Sequence, residues 1–299
     1  MTSYDCIIIG DGPAGLSAGI YMSRAEHSNI IIGSGTGRWH YGQINQNYLG
    51  FPDGVAVDEL HRLGLAQARN YGSEFLSGKV IDIKKTDDGY KVEVSTGENY
   101  MSQVIIYAAG VTDRWPKNLD IEKYVGTFTY WCITCDGFRA KGKSILVVAD
   151  VNTNIETILQ FKDFTDNITV ICDCDASFID ESDQNLLTEN GIKVINDHFI
   201  SIEGSNEMYR VEIGGESYIF SMMFSLLGSI PNSELIKDCQ CCSLNEKGYI
   251  VIDDKNRTDN ASFFAAGDVT DKHSHQVVTA AHEGAQAAQA ASYYLYKHS

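Results

Sequence analysis

Residues 7–15, IIIGDGPAG, decide how this chain folds. Three isoleucines run straight into Gly10-Asp11-Gly12-Pro13-Ala14-Gly15, a G-x-G-x-x-G turn that follows a strand and opens a helix. Gly10 permits the tight turn, Gly12 lets a pyrophosphate approach the backbone, and Gly15 lets the helix pack close to the sheet. The helix N-terminus then offers phosphates free N–H groups and the positive end of its dipole. Without strand and helix around it, the same motif would be only a glycine-rich turn. The next strand ends at Ile32-Gly33-Ser34, with no Asp or Glu to hold a ribose, so that sugar needs another partner.

The pattern restarts at residues 145–154, ILVVADVNTN, as a strand and turn from which every expected glycine is gone. The sequence predicts buried parallel strands at 4–10, 29–33 and 103–108, helices at 13–26 and 60–71, and short strands near 78–84 and 90–95 joined by an Asp-Asp-Gly turn. A second series has a strand at 144–149, a helix near 153–163, a strand at 168–172 and a helix at 181–190, then strands near 192–196, 208–213 and 218–220. Residues 249–299 read as a strand (YIVID), a short apolar strand (FFAAGD) and an Ala-rich helix from about Gln276. That tail is too short to bury its own core and must complete the first domain. The expected fold class is therefore α/β, with two Rossmann-like, three-layer nucleotide-binding domains. The first is discontinuous (1–112 plus 243–299). The second, 113–242, is inserted through Thr112-Asp113-Arg114 and left through Cys241-Cys242-Ser243.

The totals narrow the function. The 299 residues suit about two domains. The formal charge of −17 disfavours nucleic acid and anionic membranes as partners. No apolar run approaches the ~20 residues needed to span a bilayer. MTSYDCIIIGDG has no basic n-region, so no signal peptide is expected and the expected compartment is the cytoplasm. Structural disulfides are uncommon there, so most of the eight cysteines are expected to be buried or inert thiols.

Cys132-Ile133-Thr134-Cys135 is the exception. A CxxC that starts a helix lowers the pKa of its leading thiol, and the thiolate is the nucleophile. Asp136 follows as a carboxylate placed to move a proton during disulfide exchange. Gly137 allows close approach of something flat. The alternative is half of a zinc site completed by Cys172-x-Cys174 or by Cys239-x-Cys241-Cys242. The CxxC lies between two nucleotide folds and precedes Asp-Gly, which favours redox chemistry; no metal is expected.

Together these residues resemble the low-molecular-weight thioredoxin reductases over nearly the full length. The landmarks are GDGPAG at 10–15, GQI at 42–44, NYLGFPDG at 47–54, AAG at 108–110, CITCDG at 132–137, AAGDV at 265–269, and Gln276 with the helix after it. The resemblance implies an FAD domain split around a central domain, and a homodimer. It implies a flavin-binding set of Gly10, Gly12, Pro13, Ala14, Gly15, Gln43, Asn47, Ala109, Gly110, Gly267, Asp268, Gln276 and Val277. Asp268 would meet the ribityl chain, and the backbone near Gln276 the pyrimidine end. Cys135 would lie against the flavin, Cys132 would exchange with the protein substrate, and Asp136 would be the acid/base group. Ala109 stands where the family usually has Thr, and His275 where it often has Arg.

The chain departs from the family in its second nucleotide site. Ala149, Val151 and Asn154 occupy the G-x-G-x-x-A positions, with Asp150 between. Cys172-Asp173-Cys174-Asp175 replaces a His-Arg-Arg run that grips the 2′-phosphate, turning cations into anions. Gly228-Ser229-Ile230-Pro231-Asn232 lacks the family's His. The other reading is drift with a tolerable loss of affinity. NADPH is therefore not expected. The expected activity is an FAD-dependent thiol–disulfide oxidoreductase that passes electrons between FAD and Cys132/Cys135 and on to a thioredoxin-like protein. Its donor would be a ferredoxin or a second flavin. Trp39, Tyr41, Tyr130, Trp131 and Phe138 could stack on either flavin, or be core or dimer-contact residues. The alternatives are a flavin-dependent dithiol oxidase using oxygen and a non-catalytic flavin-bound thiol sensor.

Overall fold

The computed structural model describes residues 2–116, 119–150, 153–172, 181–205, 208–272 and 275–298. The chain forms two compact units. One comprises Met1–His40, Tyr48–Thr112 and Ile230–Ser299; the other comprises Tyr41–Asn47 and Asp113–Ser229.

The first unit starts with β1 (Thr2–Ile9), α1 (Pro13–Arg24) and β2 (Asn29–Gly33). It continues with α2 (Val57–Asn70), β3 (Glu74–Ser77), β4 (Val80–Thr86), β5 (Gly89–Val94) and β6 (Asn99–Tyr107). The sheet order is β3-β2-β1-β6-β5-β4. Strands β3, β2, β1 and β6 run parallel, while β5 and β4 are antiparallel additions. Alternation along β1 sorts its side chains: Ile7 and Ile9 face one core, Cys6 and Ile8 the other. The parallel strands end at one edge, where Gly10 N–H bonds Ile32 O at 2.8 Å and Ala108 N–H bonds Ile9 O at 2.7 Å.

The second unit carries β7 (Thr129–Tyr130), α3 (Ile133–Asp136), β8 (Ile145–Ala149), α4 (Ile155–Leu159), β9 (Ile168–Cys172), α5 (Glu181–Glu189) and β10 (Lys193–Ile195). An antiparallel sheet follows, of β11 (Phe199–Ser205), β12 (Met208–Ile213) and β13 (Glu216–Phe220), before β14 (Met222–Ser225). The main sheet is all parallel, in the order β7-β14-β8-β9-β10. Val147 and Ala149 face one core while Leu146 and Val148 face the other, so both sides of the sheet are covered.

The chain then returns to the first unit with α6 (Glu234–Cys239), β15 (Phe263–Ala265) and α7 (Val277–His298). Strand β15 pairs parallel to the second half of β6, with Phe263 opposite Ile105. Ala266 N–H bonds Tyr107 O at 3.0 Å, which places Gly267-Asp268 at the same sheet edge as the Gly10 turn.

Several elements differ from the sequence-based expectations. The return falls between Ser229 and Ile230, not at 241–243, because α6 and the cysteines after it place Ile236 and Cys241 in the core with Ile83, Val92 and Tyr107. Tyr41–Asn47 groups with the second unit, where the ring of Tyr41 packs edge-on to Trp115 and Trp131. The helix expected at 153–163 is only α4 followed by a 3-10 turn, Gln160–Asp163. The YIVID segment makes isolated bridges at Ile250 in place of a strand. No turn signal separates β14 from β13, and its four residues are all buried, so neither periodicity nor punctuation marks it in the sequence.

Helices α1 and α7 meet through small residues. A Cβ on Gly284 would lie 2.0 Å from Ala14 O, and one on Gly15 would lie 1.8 Å from Gly10 O. Gly284→Ala gains about 1 kcal/mol of helix propensity. The backbone overlap outweighs this gain, and a net destabilisation of about 2 kcal/mol is expected. Denaturant unfolding of the two proteins checks this; equal midpoints would contradict the packing.

Candidate active site

The C-terminal edge of the first sheet gathers the features that the sequence reading assigned to a dinucleotide. Gly10 has φ +111°, and a Cβ there would sit 2.2 Å from Ala108 O, so the turn needs glycine. At Gly12 the nearest neighbour of such an atom is Trp39, 3.8 Å away, which leaves the backbone approachable. Helix α1 has Pro13 in its first turn, no side-chain cap and no acidic residue there. Its N–H groups and twelve-residue dipole are thus left for an anion.

Asp11, in the middle of the turn, is buried. Its carboxylate lies 3.0 Å from His61 Nε2 on α2, and its Cγ occupies the space 2.3 Å from where a Cβ on Gly33 would be. A carboxylate, that of Asp11, thus lies beside the end of β2, where the strand itself carries none. Trp39 packs against His61 with ring centroids 4.5 Å apart and the rings tilted by 35°. Arg38 Nη1 holds Asp268 Oδ2 at 2.7 Å. Glu283 of α7 accepts from Gly267 N–H at 2.7 Å and from the Thr270 hydroxyl at 3.2 Å, fixing the loop that carries Asp268. Burial pushes the Glu283 carboxyl above its usual range. Ala109 O accepts from Asn232 Nδ2 at 2.9 Å, and Gly110 O from Asn232 N–H at 3.0 Å. Gln276 sits just before Val277, the first residue of α7, where its carbonyl accepts from Ala280 N–H and from the Thr279 hydroxyl, each at 2.9 Å.

The first unit thus gathers most of the expected flavin set, from Gly10 to Gly15, Ala109, Gly110, Gly267, Asp268, Gln276 and Val277. Gln43 and Asn47 belong to the second unit. There Gln43 lies against Gly126, and the exposed Asn47 donates its N–H to Asn45 Oδ1 at 3.2 Å.

The second unit carries the dithiol. Cys132 and Cys135 form a disulfide across α3, and Cys135 N–H points at Cys132 Sγ, 3.1 Å away. Both are half-buried beside exposed Thr134. Asp136 is turned to Arg139, with Nε–Oδ1 at 2.9 Å. Burial pushes the Asp136 carboxyl above its usual range, and Arg139 pulls it back. The guanidinium also lies over the rings of Tyr130 and Phe138. Gly137 meets Phe164, which a Cβ would approach to 3.0 Å, so its need for glycine lies in packing. Trp131, Tyr41 and Trp115 form one edge-to-face cluster. Cys239 and Cys241 are bridged to each other, contrary to the expectation of inert thiols and to their part in the zinc alternative; Cys174, of its other part, lies outside the described residues.

Arg38, His61, Arg139 and Glu283 are partners that the sequence reading did not name. Arg139 alone had a local signal, its i,i+3 spacing from Asp136. The other three reach their partners from separate elements.

The comparisons with known proteins agree with this arrangement. The pyridine nucleotide-disulphide oxidoreductase family model matches residues 4–285, and the chain belongs to that family. It is 33% identical to a thioredoxin reductase of Rickettsia conorii over 97% of this chain and 98% of that one. It is 30% identical to a thioredoxin reductase of Bacillus subtilis over 98% and 95%. The crystal structure of thioredoxin reductase from Streptococcus pyogenes MGAS5005 superposes with a TM-score of 0.89 at 27% identity, covering 99% of each chain. The protein is an enzyme, a flavin disulfide oxidoreductase homologous to thioredoxin reductases. Membership implies FAD, and the uncapped α1 N-terminus, the open face of Gly12 and the Asp11 carboxylate fit it.

Two outcomes follow from this geometry. Asp11→Ala should weaken FAD retention roughly tenfold, the worth of one hydrogen bond to a charged group. Flavin fluorescence on dilution checks it, and unchanged retention would remove Asp11 from the site. Arg139→Gln removes the group that holds the Asp136 carboxyl down, so the limb of the pH–rate profile titrating with Asp136 should move to higher pH and vanish in Asp136→Asn. A limb that stays in place in Arg139→Gln would mean that the pair does not act in exchange.

Proposed function

We propose that this enzyme exchanges electrons between FAD and the Cys132/Cys135 pair and hands them to a thioredoxin-like protein, without direct use of NADPH. The donor in this reading is a one-electron carrier such as ferredoxin, or a second flavin. The working form is a cytoplasmic homodimer. The family name and the relatives' names point to a pyridine nucleotide as donor, and the reading departs from them on the second nucleotide turn.

The supporting observation is the contrast between two helix N-termini. That of α1 is open. That of α4 is closed: Asn154 Oδ1 accepts from Glu156 N–H at 2.8 Å, and Glu156 puts a carboxylate in the first turn. The turn before it is bonded to itself. Asp150 N–H donates to Thr153 Oγ1 at 2.9 Å, Thr153 N–H donates to Asp150 O at 3.0 Å, and the Thr153 hydroxyl reaches Leu226 O at 3.1 Å. Helix α4 is also only five residues long, so its dipole is weak. Ala149 is wholly buried where the motif needs glycine.

Asp150 is not decisive by itself, because Asp11 stands at the same place in the first turn, and Asp150 has Arg114 at 3.9 Å. The weight falls on the helix start. Displacing the Asn154 cap costs about 1 kcal/mol. A phosphate 4 Å from Glu156 meets about 1–4 kcal/mol of repulsion between surface and bulk screening. Together these weaken binding by roughly one and a half to three and a half orders of magnitude. Val151 and Asp173-Cys174-Asp175, which also entered the expectation, lie outside the described residues.

At the dithiol, the thiolate of Cys132 attacks a disulfide of the protein substrate and forms a mixed disulfide. Cys135 then attacks Cys132 Sγ, closing the pair and releasing the substrate as a dithiol. The Asp136 carboxyl, pushed above its usual range by burial, exchanges a proton with the sulfur that leaves or attacks, while Arg139 keeps that carboxyl oriented. FAD, bound in the first unit, supplies one- and two-electron chemistry.

Anaerobic rapid mixing tests the reading. NADPH and NADH should leave the flavin band unchanged, while dithionite bleaches it fully. Prompt bleaching by micromolar NADPH would overturn it.

A further inference from the structure

The second disulfide lies in the first unit and is separate from the CxxC. Cys239 and Cys241 are bridged across one residue, Gln240, which takes the left-handed conformation with φ +50°. A third cysteine, Cys242, follows directly and keeps a free thiol. A loop this short restrains the unfolded chain least of any, so stapling the fold is a poor account of the bridge. The segment also borders a cavity of about 1170 Å³, lined among others by Lys237, Gln240, Cys241, Cys242, Asp259 and Tyr294.

The three sulfurs differ in ways that assign their roles. Cys239 is half-buried and Cys241 is buried, so an incoming nucleophile meets Cys239 first. Burial and the neighbouring Asp259 push the Cys242 thiol up to about 12, which keeps it protonated and unable to attack the adjacent bridge. Cys241 is anchored by its carbonyl, which accepts from Asn260 Nδ2 at 2.8 Å, so the bridge stays at the cavity wall.

We propose that Cys239–Cys241 is a second thiol–disulfide exchange site, which accepts two electrons from a dithiol that reaches the half-buried Cys239, beside the cavity that Cys241 lines. The dithiol's thiolate attacks Cys239 Sγ and breaks the Sγ–Sγ bond; Cys241 leaves as a thiolate and takes up a proton. The donor's second thiol gives up its proton and attacks the mixed disulfide, closing the donor's own disulfide and releasing Cys239 as a thiol. One sulfur–sulfur bond is reduced and one is formed, with two electrons and two protons transferred. A protein dithiol and a small dithiol share this chemistry. The site stands whether or not NADPH is the enzyme's electron source.

The test is residue-resolved alkylation of the FAD-loaded full chain under native conditions. It is run on a Cys132→Ser/Cys135→Ser variant and, since peptide mapping resolves both pairs, on the unmodified enzyme as well. Before reductant, Cys239 and Cys241 should be unlabelled. Dihydrolipoate or reduced thioredoxin, added separately, should expose two further thiols per chain, at Cys239 and Cys241, with the flavin retained. Labelling after dihydrolipoate alone identifies a small dithiol as the donor, and labelling after thioredoxin a protein. Cys242→Ser should leave this exposure unchanged. Labelling before any reductant, or only after denaturant, would overturn the proposal.

Discussion

Two close approaches of backbone hold this molecule's chemistry in place. Gly15 faces the Gly10 carbonyl and Gly284 faces the Ala14 carbonyl, each with no room for a Cβ. The first pulls α1 against the end of β1, so that its N-terminus aims at the sheet edge. The second seats α7 on α1, and α7 carries Glu283, which holds the Gly267–Thr270 loop. Strand ends, helix start and Asp268 loop thus share one edge because three backbones meet there without side chains between them. Interiors packed this densely transmit a methyl-sized change as a shift of whole elements.

The two nucleotide turns differ in what their helix starts leave unpaired. Both follow a parallel strand, and both have an aspartate as their second residue. In the first, His61 and the glycine at the end of β2 draw that aspartate aside, and the helix beyond is uncapped. In the second, Thr153 and Asn154 turn the loop's hydrogen-bonding capacity inward. An anion site at a helix start depends on N–H groups left over, and a single Asn at the cap is enough to use one. The sheet beneath the second turn is intact, which suits a unit that still has to carry Cys132, Cys135 and their Asp136–Arg139 pair.

Disulfide bonding extends beyond the CxxC motif. The Cys239–Cys241 bridge belongs to a segment whose membership in the first unit follows from Ile236 and Cys241 entering its core. Spacing alone left these cysteines as incidental thiols or metal ligands. The bridge depends on Gln240 adopting a positive φ, which no residue type at that position announces.

Read by itself, the sequence determined the α/β class, the glycine turn, the strand runs and the CxxC-Asp group. These are local matters, set by hydrophobic period, by glycine where the chain must bend sharply, and by thiols three residues apart. It also showed that the second turn had lost its glycines. Only the tertiary structure decided the crossing at Ser229–Ile230, the short α4, the placing of Tyr41–Asn47 in the second unit, and the pairings of Asp11 with His61, Asp268 with Arg38 and Glu283 with the Gly267 loop. The three pairings join residues 13 to 230 positions apart, and side-chain packing, unlike helix or strand period, leaves no repeat in the chain from which such meetings can be read.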